Sequence, residues 1–222
     1  MSLHFENELR GLKQQLLVMA SHAEEAVRRA VGAVLEQNAV LASQVEADDD
    51  ILDRFEVELD EMGIHLLAKA PLASELRLIT MGMKIAHELE RVGDAATTIA
   101  RRARSLTEQP PFRSLPELDT LTTLVLEMLK DALDSFVQGD AAKARAVVPR
   151  DKEADALNKK MQRELASAIA ANPQHTIACL DLMTVAKSLE RIGDHAKNIA
   201  EEVVYLHEGR DIRHTLKPVS TA

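Results

Sequence analysis

One segment is written twice in this chain. Residues 83–106 read MKIAHELERVGDAATTIARRARSL, and residues 183–206 read MTVAKSLERIGDHAKNIAEEVVYL. At an offset of 100 the two share Met, Ala, Leu-Glu-Arg, Gly-Asp, Ala, Ile-Ala and Leu. Upstream, Asp49-x-x-x-Asp53 faces Asp151-x-x-x-Asp155 and Pro71 faces Pro173, both at an offset of 102. Earlier still, Leu12, Met19, Ala23 and Val27 face Leu121, Met128, Ala132 and Phe136 at an offset of 109. The change of seven residues between these offsets is about two helical turns, so a deletion there shortens a helix while keeping its buried stripe in phase. An internal repeat of this length dictates the fold, which must be two copies of one unit.

Each unit reads as three helices. In helix C, Ile85, Leu89, Val92, Ala96, Ile99, Ala103 and Leu106 recur at alternating spacings of 4 and 3, and Val185, Leu189, Ile192, Ala196, Ile199, Val203 and Leu206 repeat them. Leu52, Phe55, Leu59, Met62 and Leu66 do the same in helix B. These are narrow apolar stripes suited to long, nearly parallel helices. Copy one (1–108) is expected to hold helix A at 6–37, helix B at 41–69 and helix C at 74–106, with Ser74 as N-cap. Ala70-Pro71 ends helix B, because the residue before a proline is driven out of the α region. Residues 109–116, rich in proline, form the linker. Copy two (117–208) has its helices at 117–137, 141–171 and 176–207, and 209–222 is a tail. The expected fold is all-α: two tandem three-helix bundles, or a fused six-helix bundle. Only 2% of the residues are aromatic, so Leu, Ala, Val, Ile and Met must fill the core.

Net charge narrows the function. At −9 the chain lacks the basic surface that releases counterions from nucleic acid, which argues against that partner. No apolar run approaches the 18 to 20 residues or so that a membrane helix needs, so membrane insertion is not expected. The lone Cys179 cannot form an intrachain disulfide, which fits a reducing, cytoplasmic setting.

The repeated polar residues are the candidates for chemistry. Residues four apart on a helix stack on one face, so Glu90 and Asp94 present two carboxylates side by side, as do Glu190 and Asp194. At 100° per residue they point away from the core of their own bundle. Asp49 and Asp53 lie on the flank of the helix B stripe, with Glu56 and Asp60 on the same side, and Asp151 and Asp155 are their counterparts. Crowded carboxylates repel one another unless protonated, hydrated apart or bridged by a cation, and a di- or trivalent metal removes that cost. Acidic pairs on solvent faces are commonplace; what singles these out is their recurrence at equivalent positions. Arg91 and Arg191 recur beside them as salt-bridge partners or orienters of the ligands. Gly93 and Gly193 fit close helix–helix approach. His87 shares the face of Glu90 and Asp94, but copy two has Lys187 there, which counts against it as a required ligand. His87-Glu-Leu-Glu-Arg91 resembles a sensor-kinase phosphoacceptor box, but its proline and any nucleotide-binding domain are missing. Ferritin-like di-iron sites are excluded by the absence of Glu-x-x-His. No phosphate-cradling glycine loop and no Gly-x-Ser-x-Gly elbow occurs, so no enzyme is expected.

At Glu90-Arg-Val-Gly-Asp94, with Ala96 and Ile99-Ala100, and at Glu190-Arg-Ile-Gly-Asp194-His-Ala-Lys-Asn-Ile-Ala200, the chain resembles the PhoU family of phosphate-signalling regulators, over nearly its whole length. The resemblance implies a cytoplasmic, dimeric protein that acts on the ATPase of a Pst-type phosphate transporter and on its sensor histidine kinase. Such a protein represses the phosphate-starvation response and phosphate uptake. It also implies metal, iron or zinc ahead of manganese or nickel. The ligands would be Asp49, Asp53, Glu90 and Asp94 in copy one, and Asp151, Asp155, Glu190 and Asp194 in copy two. The shorter helix A of copy two and the run Ala95-Ala-Thr-Thr-Ile99 depart from the family pattern. A metal-dependent helical enzyme, hydrolase or oxidase, and a plain helical scaffold are the alternatives.

Overall fold

A computed structural model describes residues 3–70, 72–110 and 116–213, with side chains from Phe5 onward. Eight α-helices follow one another: α1 (Leu3–Leu35), α2 (Ala39–Ala47), α3 (Asp50–Leu67), α4 (Ala73–Thr107), α5 (Pro116–Gln138), α6 (Ala141–Val147), α7 (Asp151–Ala171) and α8 (Thr176–Glu208). Short 3₁₀ turns at Val148–Arg150 and Pro173–His175 precede α7 and α8. No strand occurs among the described residues, and the all-α duplicated fold expected from the sequence is what forms.

Helix B of each copy is not continuous. In copy one it breaks at Asp48-Asp49, between α2 and α3. Short acidic side chains compete for backbone hydrogen bonds and favour helix ends over helix interiors. Here the Asp48 carboxylate accepts a 2.7 Å bond from Arg29 on α1. In copy two the break is the 3₁₀ turn containing Pro149, which has no N–H to give an α-helical bond. The copy-one break takes in Asp49, the first residue of its Asp-x-x-x-Asp motif, and the copy-two break falls immediately before Asp151. The α4 start also differs from expectation. Leu72, not Ser74, occupies the N-cap position, and its N–H donates to Glu75 Oε2 at 3.3 Å. Asn38 caps α2 and Asp140 caps α6 through side-chain oxygens, as such residues do. Pro71, most of the linker (111–115) and the tail from 214 lie outside the described residues.

The stripes read from the sequence are buried. Ile85, Leu89, Val92, Ala96, Ile99 and Ala103 of α4, and Val185, Leu189, Ile192, Ala196, Ile199 and Val203 of α8, are each fully inaccessible to solvent. α4 packs chiefly on α1 and α8, and α8 chiefly on α4 and α5, so one continuous core runs through both copies. This is the fused six-helix arrangement, with α4 and α8 as its two central helices.

Polar pairs set the register of that central contact. Lys84 reaches Glu202 at 3.1 Å, Glu88 bonds His195 Nδ1 at 2.6 Å and accepts from Asn198 at 3.2 Å, and Asp181 accepts from Ser105 at 2.7 Å. Numbers rising on α4 meet numbers falling on α8, so the helices run antiparallel. Burial acts to raise the Glu88 carboxyl, but the hydrogen bonds from His195 and Asn198 and the positive charge of His195 outweigh it and hold the group below its ordinary range.

Candidate metal centre

The acidic face of copy one is assembled where α3 docks on α4. Gly93 allows this approach: a Cβ there would collide with the Leu52 side chain of α3. The equivalent Gly193 is different, because a Cβ would meet only ordinary van der Waals neighbours, Val125 at 3.4 Å and Ala154 at 3.5 Å. Close approach therefore explains the first glycine and not the second.

With α3 and α4 pressed together, the four predicted carboxylates of copy one become neighbours. Burial, and then the charges of Asp49, Asp94, Asp50 and Glu56, raise the Asp53 carboxyl above its usual range. Glu90 is raised by burial first, then by Asp94 and Glu56, with Arg91 and His87 opposing. Asp49 accepts a 2.8 Å hydrogen bond from Thr97 on α4. Arg91 stands 3.5 Å from Glu90, yet Glu90 Oε2 is buried without a hydrogen-bond partner. A carboxylate oxygen left this way costs free energy unless something supplies a positive charge or a proton.

Three side chains come closer together than the quartet does. His87 Nδ1 lies 2.8 Å from Glu56 Oε1, and ligand atoms of Glu56, His87 and Glu90 all fall within 4.8 Å of one another. Among the described residues this is the one set of three His, Cys, Asp or Glu side chains so placed. Of the predicted ligands it contains Glu90 alone. Glu56 had the signal of lying beside Asp53 on α3; His87 was set aside because of Lys187.

Copy two keeps its four carboxylates but surrounds them differently. Lys197 Nζ donates to Asp151 Oδ2 at 2.8 Å and lies 3.8 Å from Asp194. Lys187 pairs with Glu190, and Lys159 reaches Asp155 at 3.5 Å. Glu190, expected on the outside, is buried at 6% exposure with its charge directed at Lys187. Asp194 is pushed up to about 6, by burial first, then by the charge and hydrogen bond of Asp151 and the charge of Glu190, with Lys197 opposing. Arg191 is exposed. Of the three lysines, only Lys187 carries weight in the sequence, as the counterpart of His87; Lys159 and Lys197 do not, although each stands in a motif-bearing helix.

The order of helices and the duplicated core match one known architecture. The model of the PhoU domain matches this chain twice, over residues 16–103 and 118–203. The chain belongs to the PhoU family. It is 39% identical over 215 residues to the phosphate-specific transport system accessory protein PhoU homolog of Pseudomonas aeruginosa, covering 96% of this chain and 89% of that protein. The homolog from Aquifex aeolicus is 37% identical over 208 residues, covering 93% and 94%. A crystal structure of PhoU from Pseudomonas aeruginosa superimposes with a TM-score of 0.89 at 39% identity, covering 93% of this chain and all of that one. The phosphate transport system regulatory protein PhoU from Streptococcus pneumoniae gives 0.88 at 25% identity, covering 94% and 99%. These names are those of accessory and regulatory proteins rather than enzymes, in line with the lack of catalytic motifs in the sequence. No described helix of this PhoU-family chain is long and apolar enough to cross a membrane.

Proposed function

We propose that the protein is a cytoplasmic regulator of phosphate transport that represses the phosphate-starvation response when phosphate is plentiful, through the transporter ATPase and its sensor kinase. The observation that carries this is the match of both halves, over nearly the whole chain, to accessory proteins of phosphate-specific transport systems. The absence of catalytic motifs supports regulation by docking rather than turnover. Deleting the gene should leave a phosphate-starvation reporter switched on at high phosphate. Unchanged repression in the deletion strain refutes the reading. A homodimer is part of the proposal, and light scattering of the purified protein at micromolar concentration tests it.

The same reading assigns a metal to the paired carboxylates, iron or zinc in the first place. The residues fit such an ion: Asp53 and Glu90 are both raised by their crowded neighbours, and Glu90 Oε2 has no hydrogen-bond partner. A bound cation would offset the mutual repulsion of these carboxylates. Arg91, 3.5 Å from Glu90, would steady that carboxylate without occupying the site. Elemental analysis of protein purified without chelator should find iron, zinc, manganese or nickel in stoichiometric amount; none of them would defeat this half.

A further inference from the structure

Comparison of the two halves, position by position, separates their carboxylate faces. Lys159, Lys187 and Lys197 of copy two stand where copy one has Val57, His87 and Thr97. Each of the three lysines is spent on a motif carboxylate: Lys159 on Asp155, Lys187 on Glu190, Lys197 on Asp151 and Asp194. At the corresponding places copy one offers an aliphatic side chain, an imidazole and a hydroxyl. Its Thr97 donates a neutral hydrogen bond to Asp49, and its His87 sits on Glu56 within ligand reach of Glu90. Where copy one has Glu56, copy two has Asn158, whose amide oxygen accepts from Gln162.

We infer that this chain binds metal in copy one only, through Glu56, His87 and Glu90, and that in copy two lysine ammonium groups do permanently what the metal does in copy one. This rests on the reading that the acidic faces take a cation. It goes further by naming which half takes it and by keeping only Glu90 of the expected ligands, with Glu56 and an imidazole in place of Asp49, Asp53 and Asp94. Lys187 is decisive here. It does not replace a ligand with something inert; it places a positive charge on the carboxylate equivalent to Glu90, and a metal ion there would have to displace that ammonium group. A set of one imidazole and two carboxylates suits zinc or another borderline divalent ion better than magnesium or calcium, which favour oxygen alone. With one face of the triad open, the ion keeps coordination positions for water or for a partner's side chain.

The test is a titration of the full chain, stripped with chelator and dialysed, with Zn²⁺. One equivalent should bind. X-ray absorption at the zinc edge should show imidazole scattering that vanishes in His87→Ala, and His87→Ala and Glu56→Gln should each weaken binding by about tenfold or more. Glu190→Gln and Asp194→Asn should leave the stoichiometry and the affinity unchanged. The paired change Asn158→Glu with Lys187→His rebuilds the triad in copy two and should add a second equivalent. His87 is exposed and Glu56 half-buried, so circular dichroism should show the variants folded. Two equivalents in the unaltered chain, one of them lost in Glu190→Gln, overturn the inference while leaving a metal-binding protein. One equivalent indifferent to His87→Ala but lost in Asp49→Asn or Asp53→Asn overturns the ligand set. No zinc bound at all, nor any other metal in the elemental analysis, defeats the broader reading together with this one.

Discussion

Replacing Asp194 by Asn should stabilise the protein at neutral pH, against the usual expectation for a residue in a repeated motif. Asp194 shares a crowded patch with Asp151 and Glu190, and its carboxyl is raised from 3.8 to about 6. A group whose charged form the fold disfavours lowers stability wherever it is charged, and the two-unit difference corresponds to about 3 kcal/mol by linkage. Asp194 is 46% exposed, so solvent screening reduces this to about 1 kcal/mol. Asn keeps the shape and carries no charge, and Lys197 retains Asp151 as its partner at 2.8 Å. The sign follows from the two ionisation ranges. Above about pH 6 the carboxylate is charged in both states and the full penalty applies. Between about 6 and 3.8 the folded protein takes up the proton first, so the unaltered chain gains stability relative to the variant. Below that range the penalty is gone. Urea denaturation at pH 7 and at pH 4.5, followed by circular dichroism, should show Asp194→Asn ahead by about 1 kcal/mol at pH 7 and the gap largely closed at pH 4.5. A variant less stable than the parent at pH 7 would mean that attraction to Lys197, 3.8 Å away, outweighs the repulsion, and the account of copy two as a crowded but balanced face would fail.

Leu59→Ala, at a fully buried position of α3, should cost about 3 kcal/mol, read as a lowered denaturation midpoint with an unchanged slope. The two repeated glycines should respond oppositely to alanine. Gly193→Ala gains about 0.5–1 kcal/mol from helix propensity with ordinary contacts, whereas Gly93→Ala forces Leu52 aside and should lose about 1 kcal/mol net; equal effects in thermal melts would refute the packing argument. Glu88→Ala should cost about 2 kcal/mol by leaving His195 without its partner between the central helices. Because the Glu88 carboxyl is lowered in the fold, its contribution is present above pH 4.5 and fades as acid carries the pH through the lowered value, so the difference between parent and variant should shrink there.

The sequence made the core legible because helix packing is written in periodicity. Every position of the α4 and α8 stripes up to Ala103 and Val203 is buried as its spacing demands. Helix breaks were less visible. Pro149 lies in the sequence as a plain signal, but the apolar pattern on either side stays in phase across it, and Asp48-Asp49 interrupts copy one without any proline. Periodicity also gives a direction relative to a residue's own bundle and is silent on what a neighbour places over it. Glu190 points out of its stripe and is nevertheless buried. His87 is a related case. Its counterpart Lys187 cannot be a metal ligand, which in the sequence alone counts against His87; the contact between Lys187 and Glu190 is visible only in the fold.

That need explains how the copies could diverge without losing a shared shape. After duplication, both acidic faces would bring the same repulsion between helix B and helix C, and each copy had to offset it to keep those helices packed. A metal does so when available, but its site must keep suitable donors and stay clear of competing cations. A lysine does so always, at the cost of closing the site. Once copy two acquired Lys187 and Lys197, two of its carboxylates became their partners: Glu190 pairs with the exposed Lys187, and Asp151 accepts from the half-buried Lys197. If the proposed metal site holds, the carboxylates of the two copies answer different constraints: in copy one what they bind, in copy two the lysines that already sit on them. Repetition of the Glu-x-x-x-Asp pattern is thus evidence of common ancestry and of common crowding, and the cations beside each pair, Arg91 in copy one and Lys187 and Lys197 in copy two, are what set the two faces apart.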